Sequence, residues 1–186
     1  MAVKIIYFVH GTTTDNIAHK ATGWNDGDLS EKGIMQSLDL KNQINMDEID
    51  IVISSDLNRA FDSANNIFNG CKEIILDKRI RECNYGDLNG KDNSLVKYEE
   101  HIQKKFPNGE SLKDVEKRIK NFCEYLLINY NGKTVALVSH KAPQLALDVI
   151  TKNFTWKDAI ANDWRKSKAW QPGWVYKINN ELLNKK

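Results

Sequence analysis

The sequence predicts an α/β protein, a three-layer α/β/α sandwich in which helices cover both faces of a mostly parallel central sheet. Short apolar runs rich in β-branched residues recur along the chain, and amphipathic stretches of helical period separate them. The strongest runs also end abruptly in polar, chemically capable residues. Open α/β sheets bind ligands there, beyond the carboxyl ends of their strands.

In chain order, VKIIYFV (3–9) reads as a buried first strand that ends in His10-Gly11-Thr12-Thr13. SEKGIMQSLDLKNQI (30–44) places Ile34, Leu38 and Leu40 in helical register despite Gly33. IDIVISS (49–55) is a second strand, and DLNRAFDSANNIF (56–68) a helix with Asp56 as its expected N-cap and Arg59 one turn in. EIILD (73–77) is a short strand running on to Arg79, Arg81 and Glu82. SLKDVEKRIKNFCEYLLINY (111–130) opens with Ser111 and Asp114 at capping-box spacing. TVALVS (134–139) is the third strong strand and ends in Ser139-His140-Lys141. Beyond it, Trp156, Ile160 and Trp164 fall four apart, as on one helix face packed against the sheet. Pro172-Gly173 then turns the chain into an edge strand, WVYKI (174–178). No repeat or linker divides the chain, so a single domain over 1–186 is expected.

Composition narrows the function. A net charge of +2 with mixed signs along the chain gives no case for nucleic acid, and the NKK end reads as a solvated tail. Cys71, Cys83 and Cys123 form no CxxC pair, which argues against a disulfide framework or structural zinc and for a reducing compartment. No apolar run is long enough for a signal peptide or a membrane span, so a soluble cytoplasmic protein is expected.

Each polar strand end has an ordinary reading by itself: a capping histidine, a solvated arginine, a surface carboxylate. Their coincidence at equivalent topological positions favours chemistry. His10, His19, His101 and His140 show no HxH or HExxH spacing, and an arginine-rich surround opposes a divalent cation, so neither a metal nor another cofactor is expected. Two histidines, arginines and a carboxylate suit an anionic small molecule better, above all a phosphate ester.

These motifs resemble the histidine phosphatase superfamily, the branch that includes phosphoglycerate mutases and small acid phosphatases. His10, Gly11, Thr12, Thr13 and Asn16 keep the spacing of the family's opening motif. GWNDGDLSEKGIMQS, SSDLNRAFDSA, IRECNYGDLNGK, PNGES and VALVSHKAP resemble its later segments in order, from about residue 3 to 145. The resemblance implies a phosphoglycerate mutase-like fold with a short cap at about 83–110. It implies His10 as nucleophile, forming a phosphohistidine that water hydrolyses, and Glu82 as proton donor. Arg59, His140 and Asn16 would hold the phosphoryl oxygens, with Gly11 and Thr13 or Thr14 nearby.

Two departures stand out. Val9 occupies the place of the arginine that normally precedes the first histidine, by substitution or by a one-residue deletion. Lys141-Ala142 follows His140, where the family usually has glycine. Loss of a phosphate-binding arginine would weaken the enzyme. Lys141 is the expected substitute, with Lys20 and Arg81 as others. The short cap favours a phosphatase over a mutase, since it leaves a phosphohistidine open to water; a non-catalytic phosphate-ligand binder is the remaining alternative. Sugar phosphates, nucleotides and phosphoserine-like esters all fit.

Overall fold

The computed structural model describes residues 2–183, and the predicted solvated tail at 184–186 lies outside the described residues. Strand β1 (Val3–Val9) leads through a single helical turn, α1 (Thr14–Ile17), and a two-residue strand β2 (Lys20–Ala21) to helix α2 (Glu31–Lys41). Strand β3 (Ile51–Ser54), helix α3 (Asn58–Phe68) and strand β4 (Ile74–Leu76) follow. The segment that comes next is made of short 3-10 turns and one short strand, β5 (Lys91–Asp92), which pairs antiparallel with β2. Helix α4 (Leu112–Asn129), strand β6 (Thr134–Ser139) and helix α5 (Lys141–Lys152) complete the main layers. Then come α6 (Trp156–Ala161), α7 (Trp164–Ser167), strand β7 (Trp174–Ile178) and α8 (Asn180–Leu183).

The sheet order is β4-β3-β6-β1-β7, with every neighbouring pair parallel except the edge strand β7, which runs antiparallel to β1. Alternation along the strands feeds two cores, as a pleated strand requires. Val3, Ile5 and Tyr7 point with Ile53, Val135 and Leu137 into a core shared with Val115, Ile119, Phe122 and Leu145. Phe8, Val52, Ala136 and Val138 point the other way, onto Leu40, Ala64, Ile67 and Phe68. The mostly parallel α/β sandwich expected from the sequence is the one observed.

The chain leaves β1 for α2 on one face of the sheet and leaves β6 for α5 on the other. A crevice therefore opens between the carboxyl ends of these adjacent strands, where ligands gather in such folds. Two local expectations need correction. Asp56 does not cap α3: Leu57 stands at the N-cap without a side-chain bond, and the Asp56 carboxylate instead takes two bonds of 2.7 Å from Arg81. The Trp156–Trp164 face is not one helix, because the chain breaks at Asn162–Asp163 and Asp163 caps a new turn.

Candidate active site

His10 and His140 leave neighbouring strands in register, one residue past the Val9–Ser139 pair, and their ring centroids lie 5.1 Å apart. The His10 N–H donates to the Ser139 carbonyl at 3.1 Å. Beneath them the Tyr7 hydroxyl donates to the His140 carbonyl at 2.6 Å and accepts from the His140 N–H at 3.1 Å, so one phenol fixes both strand ends.

The two imidazoles are held differently. His10 Nδ1 lies 2.8 Å from the Gly11 carbonyl, an acceptor that places the ring proton on Nδ1 and leaves the lone pair on Nε2. Burial, and then the Arg59 guanidinium, hold the His10 pKa down to about 3, so the ring is neutral in ordinary buffers. His140 is fully buried, with Nε2 2.8 Å from Ser55 Oγ and Nδ1 without a hydrogen-bond partner. Burial, Arg59 and His10 also push its pKa well below the usual histidine value.

A depressed histidine pKa has a thermodynamic sign. Below about 6.5 the unfolded chain takes up a proton that native His10 refuses until about pH 3, so stability is lost as pH falls through that window. Urea unfolding of wild type and His10→Gln should therefore diverge on acidification. The variant's loss between pH 7 and pH 4.5 is expected to be smaller by on the order of 1–3 kcal/mol.

Below His10 two backbones touch. A Cβ on Gly11 would lie 2.4 Å from the Gly33 carbonyl oxygen, and a Cβ on Gly33 would lie 2.1 Å from that of Thr12. The GWNDGDLSEKGIMQS segment thus seats the His10 loop: Ser30 Oγ donates to the Thr12 carbonyl at 2.8 Å, and Gln36 Oε1 accepts from the Thr12 N–H at 2.9 Å. On the other side the Gly11 N–H donates to Ser63 Oγ at 2.9 Å. Gly33→Ala should improve helix propensity by roughly 0.5–1 kcal/mol yet lower stability by about 1–3 kcal/mol overall, because the backbone has nowhere to move. Thermal unfolding reads this directly.

Arg59 is 2% exposed and reaches from α3 across the crevice. Its Nη2 donates to the Gly23 carbonyl at 2.7 Å and its Nη1 to that of Asn25 at 3.3 Å. Glu82 is 7% exposed and sits on the amino end of α5. Its Oε1 accepts from the Cys83 and Ala142 N–H groups at 2.9 Å, and its Oε2 from the Lys141 N–H at 3.2 Å. The helix amide after His140 is therefore engaged by Glu82. Arg118 braces the Glu82 backbone, donating to the carbonyls of Arg79, Arg81 and Glu82 while it pairs with Glu110. PNGES thereby proves structural: Glu110 anchors Arg118, and Ser111 forms the expected capping box with Asp114.

His10, His140, Arg59 and Glu82 line one cavity of about 500 Å³. Of the residues expected from sequence, His10, Gly11, Asn16, Arg59, Glu82, His140 and Lys141 all border it. Thr13 does not. It is fully buried, and its hydroxyl accepts from the Asn16 N–H at 3.0 Å in the capping box of α1. Asn16 spends its amide oxygen on the Thr13 N–H, so its NH2 end is the donor available to a ligand. Val9 and Lys20 line the cavity, whereas Arg81 is paired with Asp56 and stacked over Trp24. The Lys141 ammonium lies 3.3 Å from Asp163 Oδ2 and 4.7 Å from the centre of the Tyr98 ring. The tryptophans Trp164 and Trp170, read from sequence as packing and turn residues, also line the wall, as do Gln36, Tyr85, Asn93 and Arg165, which sequence reasoning did not single out. Among the described residues no cluster of three His, Cys, Asp or Glu side chains forms a metal site, and no helix is long and apolar enough to cross a membrane.

The sequence profile described as Histidine phosphatase superfamily (branch 1) matches residues 6–159. The chain belongs to this superfamily. It is 31% identical over 156 residues to phosphoserine phosphatase 1 of Hydrogenobacter thermophilus, covering 78% of this chain and 74% of that protein. It is also 31% identical over 147 residues to a probable phosphoglycerate mutase, GpmB, of Escherichia coli, covering 73% of this chain and 68% of that one. The solved structure of Bacillus stearothermophilus YhfR superposes with a TM-score of 0.79 at 24% identity, over 95% of this chain and 91% of that one. As a histidine phosphatase superfamily member, the protein stands among phosphatases and phosphoglycerate mutase-like enzymes.

Proposed function

We propose that the protein is a metal-independent phosphomonoesterase that works through a phosphohistidine on His10. The observation that carries this reading is the histidine pair. His10 is kept neutral with Nδ1 tied to Gly11, so Nε2 is a nucleophile in place, and the buried His140 beside it offers an Nδ1 with no protein partner. His10 Nε2 attacks phosphorus as the P–O bond to the leaving alcohol breaks; water then attacks the phosphohistidine and releases orthophosphate. Phosphoryl transfer asks mainly for positioning and charge stabilisation, which Arg59, His140 and the Asn16 NH2 supply from fixed positions. Glu82 gives its proton to the departing oxygen and takes one from the attacking water. The substrate is a small phosphomonoester, with phosphoserine favoured among the expected classes by the Hydrogenobacter relative. Three unpaired cysteines, two of them buried, suit the reducing cytoplasm.

Rapid alkaline quench during turnover of a labelled ester, with chelator present, tests this. An acid-labile, base-stable phosphoenzyme is expected in wild type and absent in His10→Ala. Turnover that chelator abolishes refutes metal independence, and saturable ester binding without turnover identifies a binder. Interconversion of phosphoglycerates in the presence of a bisphosphate primer identifies a mutase instead.

A further inference from the structure

A charged cluster forms around Asp163, where α5, α7 and β7 meet. Asp163, the N-cap of α7, has a side chain only 1% exposed. Its Oδ1 accepts from Arg165 Nη1 at 3.0 Å and from the Arg165 N–H at 3.1 Å. Its Oδ2 faces the Lys141 ammonium at 3.3 Å and has no hydrogen-bond partner. Arg165 Nη2 lies 3.2 Å from Gln144 Oε1, which also accepts from Trp164 Nε1 at 3.0 Å, and Trp164 stacks on Trp174 of β7 at 4.8 Å. Two cations thus share one buried carboxylate, so the cluster keeps a net positive charge, and both cations border the cavity that holds His10 and His140.

The two cations face different ground. Lys141 is directed at Tyr98, in the segment of 3-10 turns, whose hydroxyl is bonded to that of Tyr85 at 2.7 Å. The Arg165 charge is felt at both histidines and at Tyr7, the floor of the site. A guanidinium carries five N–H donors, and the contacts with Asp163 and Gln144 leave donors to spare on a group held rigidly in place. Val9 shares a strand face with Tyr7 and packs against the core that contains Ala142 and Leu145, on the side of the sheet from which α5 approaches. Its side chain brings no charge to that corner.

We infer that Arg165 is an anion ligand of the phosphoryl subsite, supplying from α7 the charge that Val9 does not supply from β1, with Asp163 and Gln144 as positioning residues. The group it takes is a tetrahedral oxyanion: the phosphoryl group of a monoester, or orthophosphate. This rests on the phosphohistidine reading for where the phosphoryl group lies, but not on turnover for its test.

Orthophosphate and orthovanadate are titrated calorimetrically into wild type, Arg165→Met, Arg165→Lys and Arg165→Met/Val9→Arg, with a thermal unfolding curve for each. Arg165→Met is expected to weaken both anions by at least about tenfold and to lower kcat/KM for p-nitrophenyl phosphate by about 10²–10³. Arg165→Lys, which keeps the pairing with Asp163 but loses the planar fork, should fall in between. Val9→Arg in the Met background should recover part of the anion affinity, a rescue that a purely structural Arg165 would not allow. Anion affinity within twofold of wild type in a folded Arg165→Met protein overturns the assignment. So does an affinity loss that tracks the unfolding temperature across the variants and is not recovered by Val9→Arg. If wild type binds neither anion, the phosphoryl site itself is refuted; if wild type binds and Arg165→Met binds equally, only the role of Arg165 falls.

Discussion

Replacing His10 with alanine is expected to lower phosphate-ester turnover by about 10⁴-fold or more, because the proposed nucleophile that carries the covalent intermediate is removed. The same variant should still bind orthophosphate, since Arg59 and His140 are positioned independently of the His10 ring. Arg59 is fixed by the carbonyls of Gly23 and Asn25, and His140 by Ser55 Oγ and by Tyr7 acting on its backbone. Steady-state assays with p-nitrophenyl phosphate in chelator, paired with phosphate calorimetry, separate the two effects. Activity retained within tenfold would remove His10 from the nucleophile role. The wild-type pH profile should agree: with the His10 pKa near 3, kcat/KM should show no inflection near 6.5 from this imidazole.

Glu82→Gln should produce the second-largest loss, and its size should depend on the leaving group. A departing alkoxide needs a proton, whereas p-nitrophenolate scarcely does. Turnover of an alkyl ester such as phosphoserine is therefore expected to fall by about 10²–10⁴, and that of p-nitrophenyl phosphate by about tenfold or less. The glutamine carbonyl still accepts from the Cys83 and Ala142 N–H groups, while the longer contact with the Lys141 N–H is lost, so the amino end of α5 keeps its shorter bond to residue 82. Equal losses on the two esters would mean that Glu82 serves only as that anchor.

The strands and the histidine pair were legible because both are local signals: β-branched runs mark the strands, and each histidine directly follows one. Ser111 was equally legible as a cap, since its partner Asp114 lies three residues away. Where local chemistry competes with distant partners, sequence misleads. Asp56 looks like an N-cap, but Arg81 comes from 25 residues away to claim both its oxygens. Thr13 matches a ligand position by spacing, but its hydroxyl is the nearest acceptor for the first turn of α1 and is used there. Arg165 was invisible for another reason. The helical period joining Trp156 to Trp164 suggests one continuous packing face, and only the break at Asp163 turns the following residues toward the crevice. Nothing near Arg165 in sequence announces that it ends beside residues more than a hundred positions earlier.

The contact of Gly11 with Gly33 has an evolutionary consequence. Where Gly11 meets Gly33, backbone lies against backbone with no side chain between them whose size selection can adjust, and a methyl on either glycine meets a carbonyl oxygen. The His10 end of the crevice is in that sense frozen hardware. Adaptation to a new ester is left to walls that hang from other parts of the chain: the 3-10 turns that carry Tyr85 and Asn93, and the α7 segment with Trp164 and Trp170. Substrate preference can drift there, one wall residue at a time, without disturbing the alignment of the two imidazoles.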